Sequence, residues 1–148
     1  MTRQTQRGAT LAEAAITVVA LFFLIMGIVE FGRAYSIYQS ITNAAREGAR
    51  FGVAPDPATG ALPSAGDIET RVAVFLQAAS LKGPFADCGA TGRDTKLPCV
   101  QVDATARTVN AVDLNYTKVT VVAPYTFFMF PYGTVNITAY SEMRNETN

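Results

Sequence analysis

Histidine is absent from this chain of 148 residues. That removes the commonest general base and the commonest metal ligand together. Charge of neither sign dominates, with 12 Lys and Arg against 12 Asp and Glu. A balanced chain gives no electrostatic case for binding nucleic acid. Cysteine is limited to Cys88 and Cys99. Two thiols without a histidine cannot complete a structural zinc site, so no metal and no cofactor is expected. In an oxidising compartment the two would form a disulfide, closing a short loop for about 2–3 kcal/mol; in a reducing one they would stay free thiols. No Ser/His, Cys/His or Gly-rich phosphate loop stands in the sequence. The carboxylates Asp87, Asp94, Asp103 and Asp113 are scattered, without the spacing of a calcium loop. An enzyme is not expected.

What the chain does have is one long apolar run. Ala14 to Val29 carries no charge, and Glu13 stands immediately before it. A stretch of about 20 residues spans the hydrocarbon core at 1.5 Å per residue, and lipid forces its backbone to be helical. Arg3 and Arg7 precede the run with no acidic residue, whereas Glu30 and Arg33 balance beyond it. The positive-inside rule then predicts a cytoplasmic N-terminus and an extracytoplasmic remainder, cysteines included. A cleaved secretory signal fits poorly: an acid heads the run and no good small-residue cleavage site follows it. An ordinary signal anchor stays open.

Helical spacing continues past the run without proline. Ile28, Phe31, Tyr35, Tyr38, Ile41 and Ala45 form an apolar stripe. Glu30 with Arg33 and Glu47 with Arg50 are i,i+3 pairs. Gly48 reads as a cost inside the helix, and Gly52 with Pro55 as its stop. One helix from about Ala9 to Phe51, roughly 65 Å long, is expected, with residues 11–31 in the membrane. Its second half needs a partner surface.

Residues 53–66 read as a linker, with Pro55, Pro57, Pro63, Gly60 and Gly66. Ser64 and Asp67 resemble a capping box. Ile68, Val72, Phe75, Leu76 and Ala79 then form one face of a second helix, ended by Gly83-Pro84. Alternation marks strands at Cys99–Ala104 and at Tyr116–Ala123, the latter interrupted by Pro124. A last strand puts Val135, Ile137, Ala139, Ser141 and Met143 on one face. Between the last two strands, residues 127–132 (FFMFPY) are apolar enough to belong to a small core or to an intersubunit contact. The sequons at Asn115, Asn136 and Asn145 read as ordinary strand residues. The expected fold class is α+β: a long N-terminal helix, a second helix, and an antiparallel sheet of three or four strands forming an extracytoplasmic head over 67–148.

Two stretches carry a family resemblance. RGATLAEAA at residues 7–15 has the pattern of a prepilin processing site. NAAREGARF at residues 43–51 looks like the signature that follows the membrane helix in TadE-like proteins, and IVEFGRAY at 28–35 fits as well. The chain therefore resembles the TadE-like proteins, pilin-like subunits of the tight-adherence (Flp-type) pilus machinery. The resemblance implies that residues 1–8 are a leader cut between Gly8 and Ala9 by a prepilin peptidase. It implies a minor pilin or pseudopilin in the inner membrane, whose partners are other pilins and pilus assembly proteins. Ala14 departs from the aromatic that usually follows the Glu. Glu13, fifth from the cut, would pair with the new ammonium of a neighbouring subunit. At about 4 Å and an effective dielectric of about 20 that attraction is about 4 kcal/mol before desolvation. An unprocessed, single-pass membrane-anchored binding module is the competing reading.

Overall fold

The computed structural model describes residues 3–79, 81, 83, 85–88, 97–109, 112–128 and 133–145. Helix α1 covers Arg3–Val53, a stretch free of proline, and stops between Gly52 and Pro55. It thus starts six residues before the expected Ala9 and ends two residues after Phe51. By contacts the chain divides into two units, Met1–Tyr35 and Ser36–Asn148.

In the first unit almost every side chain from residue 8 onward is exposed, including Leu11, Ile16, Phe22, Phe23 and Leu24. Among the described residues, nothing buries this stretch. The second unit is an α+β fold. Helix α2 (Ala65–Ala78) starts at a complete capping box. Ser64 Oγ accepts from the Asp67 N–H at 3.3 Å, and the Ser64 N–H and hydroxyl donate to Asp67 Oδ2 at 3.1 and 2.6 Å. Two orphan amides at the helix start are satisfied reciprocally. Ile68, Val72 and Leu76 are its buried face. The helix ends at Ala78, with Ala79 donating back to the Phe75 carbonyl, and so stops before the expected Gly83-Pro84. Pro84 lies outside the described residues. Phe75, expected on the buried face, is 39% exposed.

The sheet has the order β1-β2-β3-β4, with β1 Ala86–Asp87, β2 Cys99–Val109, β3 Val112–Thr126 and β4 Thr134–Arg144. β2, β3 and β4 are antiparallel neighbours, while the two-residue β1 runs parallel to β2. Val100, Val119, Val121, Ala123 and Ala139 lie on one face, as the register Val100↔Val121↔Ala139 requires. They form a single core with Ile41, Ala44, Ala45 and Ala49 of α1 and the buried face of α2.

Two expectations change here. Pro124 does not interrupt β3, which continues through it to Thr126. The β2 ladder ends at Cys99↔Val122, so Pro124 has a strand only on its β4 side, where its partner is Asn136. A strand with one neighbour tolerates a residue lacking an N–H. The apolar stripe of α1 also divides. Ile41 and Ala45 are buried, but Ile28, Phe31, Tyr35 and Tyr38 are exposed. The buried face is continued instead by Ala44, Gly48, Ala49 and Gly52.

Those two glycines explain how closely α1 approaches its neighbours. A methyl group at Gly48 would overlap Val72 Cγ2 and stand 3.3 Å from Val119 Cγ1. At Gly52 it would stand 2.7 Å from Ile68 Cδ1 and 3.0 Å from Thr117 Cγ2. The helix propensity lost at each glycine is about 1 kcal/mol; in exchange, α2 and β3 close onto the α1 backbone.

Candidate functional site

The residues expected to act lie in two places. Gly8, Ala9 and Glu13 are on α1, in the first unit. Ala9 and Glu13 stand four apart and so share a helix face. Both are exposed, as is Gly8, where an added Cβ would meet nothing within 4 Å. Thr17 donates its hydroxyl to the Glu13 carbonyl at 2.9 Å, keeping a polar side chain satisfied within the helix. A proteolytic cleft takes an extended backbone, whereas Gly8 here is helical. Glycine lowers the cost of unwinding a helical turn at that position.

From Gly8 the helix is long and apolar enough to cross a membrane, and none of its most apolar stretch is buried. Near the far end of the uncharged run, Arg33 donates to Glu30 at 3.2 Å, and the rings of Phe31 and Tyr35 stack at 6.2 Å. An ion pair beside exposed aromatics is the side-chain set favoured where hydrocarbon gives way to water.

Cys88 and Cys99 are in the second unit, joined as a disulfide with Cα atoms 5.1 Å apart. The bond fastens the end of β1 to the start of β2, where the Cys88 N–H also donates to the Val100 carbonyl at 3.2 Å. Beside the core, Glu47 holds two cations. It accepts from Arg50 on its own helix at 3.1 Å and from Arg71 of α2 at 2.9 Å. The hydrogen bond from Arg50, then that from Arg71, holds the Glu47 carboxyl below its ordinary value of 4.5. The Glu47–Arg50 spacing was legible in the sequence. The Arg71 contact was not, because it joins residues on different helices.

An open cleft of about 820 Å³ lies between Phe51, the 54–63 loop and α2. The acids lining it are committed to local structure. Asp67 closes the cap, and Asp56 accepts from the N–H groups of Ala58 and Thr59 at 2.7 and 3.3 Å. Asp103 accepts from Gln101 at 3.0 Å on the outer sheet face. Asp94 lies outside the described residues.

The described part of the apolar loop divides at its second residue. Phe127 sits edge-on to buried Tyr125 at 5.1 Å, while Phe128 is 75% exposed. Residues 129–132 of the loop lie outside the described set. Among the sequons, Asn145 is buried and its Oδ1 accepts from Thr117 Oγ1 at 2.8 Å, a structural tie at the end of β4.

A helix apolar and exposed on every side, together with a packed α+β unit, is the arrangement of a protein with a single-helix membrane anchor. Within that class, residues 8–50 match the family model of the TadE-like proteins, the family whose motifs the sequence resembles. The match takes in the whole apolar run and the small-residue face of α1 as far as Ala49, and ends before Gly52, α2 and the sheet. No curated protein and no solved structure matches the chain.

Proposed function

We propose that this protein is a minor pilin or pseudopilin that takes part in assembling, initiating or capping a tight-adherence pilus. The observation that carries the reading is the conjunction at the start of α1. Gly8, Ala9 and Glu13 stand at processing-site spacing, they head an unburied apolar helix, and all of them fall in the TadE-like match. The protein inserts with its N-terminus in the cytoplasm and its α+β head outside, and prepilin peptidase cuts between Gly8 and Ala9. Its role is structural rather than enzymatic. Glu13 pairs with the Ala9 ammonium of a neighbouring subunit, offsetting the cost of about 2.5–3.5 kcal/mol for a charged residue deep in the bilayer, a cost that is lower near the interface.

Intact mass and N-terminal analysis of the membrane-extracted protein tests the processing step. A species beginning at Ala9 is expected when the peptidase is present, and the full-length species when it is deleted. Met1 retained in both strains would instead favour the unprocessed, membrane-anchored binding module. Glu13→Ala is expected to leave insertion and cutting intact while reducing surface piliation severalfold. Piliation unchanged in that variant would remove the pairing role.

A further inference from the structure

The two edges of the sheet are treated differently. At one edge β2 is fastened to the short β1 by the Cys88–Cys99 bond. At the other edge β4 runs for 11 residues with no strand beyond it among those described. Its pairing with β3 is unbroken from Tyr116↔Arg144 to Thr126↔Thr134, so no bulge twists the edge away. It contains no proline and no lysine, and its charges, Glu142 and Arg144, sit at its end. Natural edge strands are usually short, bulged, covered or charged, because a row of free N–H and C=O groups invites another strand.

The direction of those free groups can be assigned. Asn145 donates its N–H to the Asn115 carbonyl at 2.8 Å, which continues the β3–β4 register by one pair. Hydrogen-bonded and non-bonded pairs alternate along an antiparallel ladder. The odd residues of β4 therefore turn their backbone groups toward β3, and Asn136, Thr138, Tyr140, Glu142 and Arg144 turn theirs outward. A second strand can bond only by opposing its own outward residues to these.

We propose that this edge joins a second copy of the same chain, β4 against β4 in antiparallel register centred on Tyr140. That register sets outward residues against outward residues. It places Tyr140 opposite Tyr140, Thr138 opposite Glu142, and Asn136 opposite Arg144. No like charges face each other, whereas a register centred on Glu142 would oppose two carboxylates. On the core-side face Ile137 meets Met143 and Ala139 meets Ser141, so the apolar strip continues across the join. Tyr140, 67% exposed in the single chain, gains an aromatic partner across the strands. The surface is made by residues of the second unit alone and does not depend on the pilus reading.

The test uses the full chain in detergent. Thr138→Cys and Glu142→Cys variants are oxidised separately and as a mixture, the native cysteines being already paired within the chain. A disulfide-linked dimer is expected in the mixture and not in either variant alone, because only residues 138 and 142 oppose each other. No dimer in the mixture, or equal dimer in the single variants, would overturn the register. Sedimentation of the dimer provides the second measurement. Tyr140→Pro removes an outward N–H without costing a bond to β3, and Thr138→Glu sets a carboxylate opposite Glu142. Each is expected to raise the dimer dissociation constant at least tenfold with the circular dichroism unchanged, while Thr138→Lys lowers it. If Tyr140→Pro does not fold, the two charge variants decide. A protein monomeric at every concentration, or a dimer indifferent to both charges, would refute the proposal.

Discussion

Residues 8–35 and residues 41–53 belong to the same helix yet solve opposite problems. The earlier stretch is built from large apolar side chains, Leu21, Phe22, Phe23, Leu24 and Ile25 among them, each at least half exposed. The later stretch buries Ile41 and a series of small residues: Ala44, Ala45, Gly48, Ala49 and Gly52. Bulk is wanted where the surroundings must supply the apolar contacts, as lipid does. Small residues are wanted where a second helix and a sheet come up against the backbone itself. Both contact surfaces are apolar, and side-chain volume is what separates them.

A matched pair of substitutions sharpens that comparison most. Gly48→Leu is expected to destabilise the head by about 3 kcal/mol, since the new side chain must displace Val72 and Val119. Gly27→Leu, where nothing lies within 4 Å, is expected to be neutral or to favour the helix by up to about 1 kcal/mol. Chemical denaturation in detergent, followed by circular dichroism, would read both. Equal effects at the two glycines would break the distinction.

The next effect is in the head alone. Replacing Cys88 and Cys99 together with serine is expected to cost about 2–3 kcal/mol of head stability, through the freed loop of the unfolded chain. Reduction of the unaltered protein should lower the midpoint comparably, and neither change should alter membrane insertion. The same denaturation curves, measured with and without reductant, would check it.

The smallest expected effect concerns Glu47. Its carboxyl is held below 4.5 by Arg50 and Arg71, so its contribution is fully present above the unfolded value. It is lost as pH falls through the lower folded value. Because both arginines are largely exposed, that contribution is about 1 kcal/mol or less. Glu47→Gln should remove it near neutral pH and flatten the acid limb of the stability curve. Asp67, held down by its Ser64 hydrogen bonds, adds a slope of the same sign, so the flattening is partial. An acid limb unchanged in Glu47→Gln would show that the α1–α2 ion pairs contribute nothing measurable.

Much of this was legible along the chain because it is local. The capping box of Ser64 and Asp67, the Glu30–Arg33 and Glu47–Arg50 pairs, and the alternation of β4 each depend on residues within a few positions. Spacing at Gly8, Ala9 and Glu13, with the motif at residues 43–51, carried the family resemblance. What could not be read is non-local. Gly48 looked like a flaw until Val72 stood against it. Pro124 looked like a break until β2 proved to end before it. Residues 86–87 gave no strand signal, because two residues show no period, and they pair only because β2 runs alongside.

The sequence by itself determined the apolar anchor helix, its lone acid and the order of the two helices and three long strands, since hydrophobic run length and periodicity are properties of neighbouring residues. Only the tertiary structure decided which part of α1 is buried, that Arg71 shares Glu47 with Arg50, and that β4 has no strand beyond it among the described residues. Those outcomes depend on surfaces far apart in the chain meeting at van der Waals distance, and no local pattern records such a meeting.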